Sequence, residues 1–466
     1  MLIRHAELAG GALADVRLAD GRVAQIAASL DPAPGEETLD AAGGALLPGL
    51  HDHHLHLFAL AAARDSLRCG PPEVRDAAAL AEALGKAQPR HGWLRGVGYH
   101  ESVAGPLDRA ALDRFRPELP VRVQHRSGAL WLVNSAGAER LGLDAAGSVP
   151  GLERDAAGRA TGRLFRLDGW LRERIPAAAP DLAAVSEMLA SRGVTGVTDA
   201  TPGNGKAELA AFSESLRQGS LVQRVVMMGG RALPDPASDS LSRGALKRIL
   251  AEDDLPTLDE LEEEIARSHA EGRNVALHCV TRAELVFAVA AFAAAGARAG
   301  DRIEHAAVAP PEVVRELAQL PLTVVTQPNF VRERGDAYLS DVSPHDRPWL
   351  YRCRGWLEAG VPLGGGTDAP FGDPDPWRAM AAAVERRSES GAVLAADEAL
   401  APERALALFT TDARDPGGPV RSVREGAPAD LCLLGAPWRE LRRDLAHARV
   451  RATFREGRAV FGAVRA

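Results

Sequence analysis

Short apolar segments that alternate with helical patterns restrict the fold of this chain most strongly. Eight of them have the length of a buried strand: residues 45–50, 193–199, 222–228, 245–250, 274–279, 302–305, 322–327 and 361–368. The clearest of the intervening helices begins at Thr257, where Glu260 completes a capping box, and ends near Gly272. A strand-and-helix alternation repeated eight times predicts an α/β protein built on a (β/α)8 TIM barrel.

Both chain ends and one long gap fall outside this alternation. Alternating apolar segments flank the turn Asp20-Gly21 near the N-terminus, and a similar pattern surrounds Glu456-Gly457 near the C-terminus. Because the first and last strands of a closed barrel are neighbours, these ends predict a small β-sandwich domain built from both chain termini. About 130 residues separate the first two barrel strands, which predicts a large insertion after barrel strand 1 at the catalytic face. The predicted division is 1–44 for the N-terminal part of the sandwich, 45–59 for barrel strand 1, 60–190 for the insertion, 191–412 for the rest of the barrel and 413–466 for the C-terminal part of the sandwich.

Composition and charge argue against several classes of protein. With 46% hydrophobic and 25% charged residues, the chain can bury a large core and is not a disordered protein. Its net charge of −8 and its lack of a basic cluster with interleaved aromatic residues argue against nucleic-acid binding. No apolar stretch reaches membrane-spanning length, the N-terminus does not resemble a signal peptide, and the four widely spaced cysteines form no CxxC pair. We therefore expect a cytoplasmic protein without disulfide bonds and with no membrane contact.

Histidine is concentrated directly after the first predicted strand. Residues 48–56 read P-G-L-H-D-H-H-L-H and hold four of the 13 histidines of the chain. Side chains alternate faces along a strand, so His54 and His56 are expected to point the same way, whereas His51 and His53 lie outside this alternation. Two neutral imidazoles on one face can bind one cation, with Zn–N distances of about 2.0–2.1 Å. A histidine-rich polar loop is the alternative, but such tracts do not normally follow a barrel-like strand.

Further candidate ligands lie at the ends of later predicted strands, where the active sites of TIM barrels are found. They are Lys247, His278, His305 and Asp368. Lys247 invites a chemical explanation because only three of the 55 lysine and arginine residues are lysine, and lysine can lose its proton whereas arginine cannot. Each of these residues alone could be a core histidine, a strand-end lysine or a turn aspartate. Their coincidence with His54 and His56 at one barrel face indicates a metal-dependent active site.

Several motifs at these positions resemble those of the amidohydrolase superfamily of metal-dependent hydrolases. They are D-H-H-L-H at 52–56, A-L-K-R-I at 245–249, A-L-H-C at 276–279, I-E-H-A at 303–306, G-G-T-D-A-P at 365–370 and E-G-A-P-A-D-L at 425–431. The large insertion, R-S-G-A-L-W-L-V-N-S at 126–135 and T-Q-P-N-F at 326–330 are similar to the family 3 branch. That branch includes N-substituted formamide deformylases and relatives of N-acyl amino-acid deacylases.

The resemblance implies a particular assignment of the metal ligands. A first cation would be held by His54, His56 and Asp368, a second by His278 and His305, with a CO2-derived carbamate on Lys247 between them. One or two Zn2+ ions are expected, and other divalent metals would also suit these ligands. The implied reaction uses a metal-activated water to cleave an amide-type C–N bond, linear or cyclic, with Asp368 as the catalytic proton carrier. Asp52 is expected to orient a ligand, and Glu304 faces away from His305 on its strand.

Substrate recognition is the least determined part of the sequence. The expected partner is a small molecule, and the candidate contacts are Tyr99, His100, His125, Arg126, Trp131, Asn134, Arg231, Arg282, Asn329 and Phe371. Three departures from the branch weaken any transferred substrate: Ala129 replaces a histidine, R-I-L-A-E follows the strand-four lysine motif, and strand five continues H-C-V-T-R. A mononuclear deaminase, an ester or lactone hydrolase, and a non-catalytic scaffold protein remain as alternatives. The sequence leaves homo-oligomerisation open.

Overall fold

The computed structural model describes residues 1–175, 180–236 and 238–462. The chain divides into two compact units, one made of Met1–Leu57 together with the chain from Asp181 onward, the other of Phe58–Pro180. The sequence predicted an insertion over 60–190, but the helix Ala183–Ala190 belongs to the larger unit. Parts of the predicted ranges, at 176–179, 237 and 463–466, lie outside the described residues.

The larger unit contains the predicted eight-stranded parallel barrel sheet. Its strands, β1 to β8 in chain order, are Leu50–Leu55, Val194–Asp199, Arg224–Gly229, Leu241–Ile249, Val275–Cys279, Asp301–His305, Leu322–Thr326 and Leu363–Gly365. Each strand from β2 to β8 pairs in parallel with the strand before it. Strands β8 and β1 are also in contact, so the fold is the predicted (β/α)8 barrel.

The first and last strand predictions were wrong in their bounds. The first predicted strand, 45–50, belongs mostly to another sheet, because Leu46–Pro48 pairs antiparallel with Leu431–Leu434. The chain enters the barrel only at Leu50, after Pro48, which has no backbone N–H to donate to a ladder, and Gly49. The last predicted strand, 361–368, is longer than the observed strand, Leu363–Gly365. The residues after it approach the end of β1, where the Asp368 N–H donates to the His54 carbonyl.

Helices of the larger unit follow most barrel strands. They are Ala183–Ala190, Lys206–Gln218, Leu258–Ala270, Arg282–Ala295, Pro311–Leu317, Asn329–Asp341, Arg354–Glu358, Pro376–Glu385, Pro402–Ala407 and Trp438–Leu441. Three 3-10 turns lie at Arg347–Trp349, Ala396–Glu398 and Leu445–His447. A further helix, Leu57–Arg64, follows β1, and its residues from Phe58 onward belong to the smaller unit. The predicted capping box is confirmed: the Thr257 hydroxyl accepts from the Glu260 N–H at 3.3 Å, and the Glu260 carboxylate accepts from the Thr257 N–H at 2.8 Å. Among the described residues, no helix is long and apolar enough to cross a membrane.

The chain ends form two four-stranded sheets that share one hydrophobic core, as the predicted β-sandwich requires. One sheet contains Leu2–Glu7, Leu13–Ala19, Arg22–Ala27 and Thr38–Asp40, and the other contains Leu46–Pro48, Leu431–Leu434, Val450–Arg455 and Arg458–Phe461. Their facing side chains, including Ile3, Val16, Leu433 and Phe454, are fully buried in a single cluster. Both termini therefore contribute to this domain.

The smaller unit is built on a mixed six-stranded sheet. Its strands are Leu67–Arg68, Leu94–Tyr99, Val121–His125, Leu130–Val133, Leu152–Arg154 and Ala160–Phe165. The helices Ala77–Lys86, Glu101–Ala104, Arg109–Asp113, Ser135–Leu141 and Asp168–Arg174, with a 3-10 turn at Leu143–Ala145, complete this unit. Two hydrophobic clusters stabilise it, one around Leu112 and Val123 and one around Trp93 and Leu164.

Candidate metal centre

Side chains at the ends of β1 and β8 converge on one point. His56 Nε2 lies 3.2 Å and His54 Nε2 lies 3.6 Å from Asp368 Oδ1. Two backbone hydrogen bonds hold the segments together, because the Asp368 N–H donates to the His54 carbonyl and the His56 N–H donates to the Ala369 carbonyl, both at 2.8 Å. Ligand atoms about 2.05 Å from a tetrahedral zinc ion are about 3.3 Å apart. The three side chains therefore have the spacing of a metal-ligand group.

The other ring nitrogens of the two histidines are fixed by hydrogen bonds. His54 Nδ1 lies 2.5 Å from Glu304 Oε2, and His56 Nδ1 lies 2.9 Å from the hydroxyl of Thr201. A carboxylate or hydroxyl on one ring nitrogen orients the ring and leaves the second nitrogen for a metal. Burial lowers the pKa of His54 well below its usual range, so its imidazole is neutral and can bind a cation.

A second pair of histidines lies beside the first. The rings of His278 on β5 and His305 on β6 are 4.3 Å apart between centroids, and the His305 ring is 4.8 Å from that of His54. His305 Nδ1 lies 2.6 Å from Gln327 Oε1, whereas its Nε2 is buried and has no hydrogen-bond partner. Burial lowers the pKa of His305 well below its usual range. A buried, neutral nitrogen without a partner is suited to ligation.

Lys247 of β4 carries a second buried nitrogen without a hydrogen-bond partner. Its side chain is 5% exposed, and its Nζ makes no hydrogen bond. Burial lowers the pKa of this amine to about 8, although the negative charges of Glu304 and Asp368 act in the opposite direction. The amine therefore loses its proton more easily than an exposed lysine does, and its neutral, nucleophilic form becomes accessible near pH 8.

The backbone directs two of these side chains in a way that strand alternation does not. His305 and Asp368 adopt left-handed conformations, with φ of 70° and 55°, directly at or after the ends of β6 and β8. Such angles are uncommon for residues other than glycine and occur often at functional sites. Gly366 permits the close approach of the two segments, because a Cβ there would lie 2.5 Å from the Cβ of His54.

The remaining polar residues of the histidine-rich segment have other partners. His51 Nε2 lies 2.9 Å from the Thr198 hydroxyl, and His53 Nε2 lies 3.0 Å from the Thr411 hydroxyl. Asp52 accepts hydrogen bonds from the backbone N–H groups of His54 and Thr367 and from the Thr367 hydroxyl. These contacts hold β1 in place. His51, His53 and Asp52 are not part of the group formed by His54, His56 and Asp368.

Three predicted substrate contacts are structural residues of the smaller unit, and we revise them. Tyr99 is fully buried and donates its hydroxyl to a backbone carbonyl. Trp131 is 4% exposed, and its Nε1 donates to Asp168 at 2.8 Å. Asn134 caps the helix Ser135–Leu141 through its side-chain oxygen. Aromatic and amide side chains at strand ends also serve packing and capping, which the sequence alone does not distinguish from binding.

The other three candidates of the smaller unit lie together. His125 Nε2 is 3.0 Å from Glu101 Oε2, and the rings of His100 and His125 are 5.9 Å apart. Each ring Nδ1 lies close to a serine hydroxyl, at 2.9 Å for His100 and 2.8 Å for His125. Arg126 is half-buried beside them, and its N–H donates to a strand carbonyl.

Four predicted substrate contacts lie in the larger unit: Arg231, Arg282, Asn329 and Phe371. Phe371 is nearest the centre, with its ring 5.5 Å from that of His56. Asn329 is buried, and its Nδ2 donates to the Thr367 carbonyl at 3.0 Å. Arg231 and Arg282 are exposed, and each is paired with a carboxylate. The structure brings Phe371 to the candidate metal centre but gives the two arginines surface partners.

Sequence reasoning missed several residues that support the centre. Thr201 and Gln327 contact the candidate ligands His56 and His305 just beyond the ends of β2 and β7, so the strand-end rule could have found them. Arg302 pairs with Glu304 at 2.7 Å inside the barrel. No sequence signal separated Arg302 from the many surface arginines.

Known proteins resemble this chain in sequence and in fold. A sequence model described as the amidohydrolase family matches residues 37–461. The chain is 26% identical to an N-substituted formamide deformylase of Arthrobacter pascens, over 90% of this chain and 89% of that protein. It is 23% identical to the putative amidohydrolase YtcJ of Bacillus subtilis strain 168, over 81% of this chain and 80% of that protein. An uncharacterized metal-dependent hydrolase of Pyrococcus horikoshii OT3 superposes with a TM-score of 0.71 at 19% identity, over 99% of both chains. The chain therefore belongs to the amidohydrolase family, whose members act on carbon–nitrogen bonds other than peptide bonds.

Proposed function

We infer that this protein uses divalent metal, with zinc as the expected ion, to hydrolyse an amide-type C–N bond of a small molecule, linear or cyclic. The observation that carries this inference is the convergence of His54, His56 and Asp368 beside two buried nitrogens without partners, those of Lys247 and His305. The similarity to a deformylase of N-substituted formamides supports a C–N bond as the target.

The donor set fits a divalent cation on chemical grounds. Imidazole nitrogens and carboxylate oxygens are ordinary zinc ligands, and the nearest donor atoms are 3.2 and 3.6 Å apart. A buried nitrogen without a partner costs about 1–3 kcal/mol, so two of them next to this group of candidate ligands favour a further partner there. The unpaired Nζ of Lys247 and Nε2 of His305 are therefore positions at which a further ligand is expected.

We assign the ligands by their grouping. His54, His56 and Asp368 would hold one ion, and His278 and His305 a second, with a carbamate of Lys247 between them. Lysine suits this role because its buried amine is partly neutral near pH 8, and a neutral amine can add to the carbon of CO2. A bound divalent cation supplies two effects: it lowers the pKa of water toward neutrality and polarises a carbonyl oxygen.

Asp368 is the proposed proton carrier of the reaction. Its carboxylate accepts a proton from the attacking water, whose oxygen bonds to the carbonyl carbon. The same carboxyl then gives that proton to the leaving nitrogen as the C–N bond breaks, so the products are a carboxylic acid and an amine. Glu304 and Thr201 keep the two ligand rings in position during these steps.

Metal stoichiometry and hydrolysis test this function together. Wild-type protein and Lys247→Ala would be purified in bicarbonate buffer and their metal content measured by elemental analysis, with the exposed Lys206→Ala as the matched control. We expect about two zinc ions per chain in the wild type and the control, and one or fewer in Lys247→Ala. A panel of formamides, N-acyl amino acids, cyclic amides, esters and lactones would then be assayed for release of amine, ammonia and carboxylic acid.

Each outcome distinguishes the alternatives. Unchanged metal content in Lys247→Ala would contradict the bridging carbamate. One ion per wild-type chain with ammonia release would indicate a mononuclear deaminase, and cleavage of esters or lactones alone would indicate a hydrolase of C–O bonds. A fully metallated protein without activity on the whole panel would indicate a non-catalytic scaffold.

A further inference from the structure

Asp199, the last residue of β2, accepts hydrogen bonds from three N–H groups around the candidate ligand His56. Its Oδ2 accepts from the Leu57 N–H at 2.7 Å, and its Oδ1 accepts from the Thr201 N–H at 3.1 Å and from Asn204 Nδ2 at 2.8 Å. The residue is 1% exposed, so its carboxylate depends on these donors. Two of them adjoin His56, because Leu57 follows it in the chain and Thr201 contacts its ring.

The contact with Leu57 supplies an acceptor that the start of a helix needs. The first N–H groups of a helix have no partner within it, and a short polar residue directly before the helix commonly accepts from one of them. Leu57 begins the helix Leu57–Arg64, and the residue before it is His56. Both ring nitrogens of His56 have other neighbours, one at the Thr201 hydroxyl and one at the candidate metal centre. Asp199 therefore provides the acceptor from the neighbouring strand and fixes the backbone directly after His56.

The contact with Thr201 directs a hydroxyl at the His56 ring. An aspartate that accepts from the N–H two residues further on forms an Asx turn, which fixes the local course of the chain. Asp199 makes this contact, and the Thr201 hydroxyl then lies 2.9 Å from His56 Nδ1. A hydroxyl that accepts from Nδ1 leaves Nε2 without a proton, and this is the form of the ring that binds a cation through Nε2.

Asn204 attaches the same carboxylate to β3. Its Nδ2 donates to Asp199 and also to the Met228 carbonyl at 2.9 Å. Asn204 is 3% exposed, and its segment passes so close to β3 that a Cβ on Gly229 would lie 2.5 Å from the Asn204 carbonyl oxygen. The carboxylate is therefore held between residues at the ends of β1, β2 and β3, which restricts its movement.

We propose that Asp199 is a positioning residue for His56 and thereby sets the affinity of the centre for its metal ion. It acts on the backbone after His56 through Leu57, and on the ring through Thr201. This inference rests on the proposed metal site and adds a residue that touches neither the ion nor the substrate. A carboxylate that served only the fold would affect stability without affecting metal affinity.

The test measures metal affinity and stability separately. The Kd for zinc would be determined by competition with a chelator, and the urea midpoint of unfolding on zinc-free protein, for the wild type, Asp199→Asn and Asp301→Asn. Asp301 is the matched control, because it is also fully buried and accepts from the N–H groups of Val275 and Arg298, each at 2.9 Å, but it lies at the start of β6. We expect both variants to unfold at lower urea, and Asp199→Asn alone to bind zinc about 10- to 100-fold more weakly.

Variants of Thr201 test the path through the hydroxyl and keep the proposal open to refutation if Asp199→Asn does not fold. Valine has nearly the shape of threonine but lacks the hydroxyl, whereas serine keeps it. We expect weaker zinc binding in Thr201→Val and affinity close to that of the wild type in Thr201→Ser. In the double variant Asp199→Asn with Thr201→Val, the loss of affinity should be smaller than the product of the two single losses, because both changes act on one ring.

A folded Asp199→Asn protein with a zinc Kd within about threefold of the wild type would overturn the proposal, as would an equal loss of affinity in Asp301→Asn. Unchanged zinc binding in Thr201→Val, or losses that multiply in full in the double variant, would also overturn it. Zinc binding that depends on Asp199 in a protein that hydrolyses no amide would support the positioning role while refuting the proposed hydrolysis. Turnover of an amide, with unchanged zinc affinity in Asp199→Asn, would leave the hydrolysis standing and overturn the positioning role.

Discussion

Replacement of Glu304 by glutamine isolates the contact that orients His54, one of the proposed metal ligands. Glu304 is fully buried, and its Oε2 lies 2.5 Å from His54 Nδ1. Burial opposes ionisation of this carboxyl, but the charges of Arg302 and Lys247 outweigh it and lower its pKa, so Glu304 is an anion at neutral pH. Glutamine has nearly the same shape, still offers one oxygen to His54, and removes only the charge.

The expected loss of metal affinity follows from that charge. Removing a partner of a ligand histidine weakens metal binding by about 10- to 100-fold, or about 1.4–2.7 kcal/mol. A hydrogen bond to a charged group contributes about 1.5–3 kcal/mol, which is similar to this loss of metal-binding free energy. Stability should fall too, because Arg302, which pairs with Glu304 at 2.7 Å, would be left as a buried charge without its partner, at a cost of about 3–5 kcal/mol.

A double variant separates these two effects. Arg302→Met combined with Glu304→Gln removes the unpaired guanidinium, so it should recover stability in urea unfolding but keep the weakened zinc affinity in a competition titration with a chromophoric chelator. The exposed Glu316→Gln is the matched control and should change neither quantity. A zinc Kd within about threefold of the wild type in folded Glu304→Gln protein would refute the claim that this carboxylate positions His54.

Two further predictions concern the sandwich and the close approach at the centre. A hydrogen bond from Arg17 lowers the pKa of Glu36 from its ordinary 4.5 to about 2, so Glu36 stabilises the folded state above pH 4.5 and this contribution is lost as the pH falls toward 2. Glu36→Gln should therefore unfold at lower urea than the wild type at pH 7, and the difference should shrink between pH 4.5 and 2; a constant difference would contradict this account. Gly366→Ala should lower hydrolysis by about 100-fold by displacing His54, whereas Gly85→Ala, where a Cβ meets nothing within 4 Å, should leave activity unchanged. Equal activity of these two glycine variants would count against the close-approach argument.

The sequence was sufficient for the barrel and for the strand-end positions of the candidate ligands. Local rules located most strands within a few residues, because apolar runs, turn residues and capping boxes act over short distances. They failed at 45–50, where a run of apolar residues serves a different sheet. Only the pairing of Leu46–Pro48 with the distant Leu431–Leu434 decides this, and such a non-local contact leaves no trace in the local pattern.

Side-chain direction was predictable only where the strand remains regular. Alternation correctly placed His54 on the side from which it meets Asp368, but His305 and Asp368 reach the centre through left-handed backbone conformations. Glu304 was expected to face away from His305 along β6, but both side chains reach His54 on β1, because the left-handed backbone at His305 breaks the alternation. Inside a barrel, side chains from strands that are distant in sequence meet one another. The alternation rule describes the side chains of one strand at a time, so it does not predict these contacts.

The charge balance of the proposed centre explains why lysine and metal belong together. Without metal, the carboxylates of Glu304 and Asp368 are offset by Arg302 and by Lys247 in its protonated form, and burial raises the pKa of the neighbouring Asp52 to about 7. Converting the Lys247 ammonium to a carbamate changes the local charge by two negative units, which is the charge that one divalent cation brings. Either event alone would leave an uncompensated buried charge, which is energetically prohibitive. In the proposed two-metal site, carbamate formation and entry of the second ion would therefore stabilise each other. An arginine at position 247 could balance the charge of the metal-free state but could not form the carbamate.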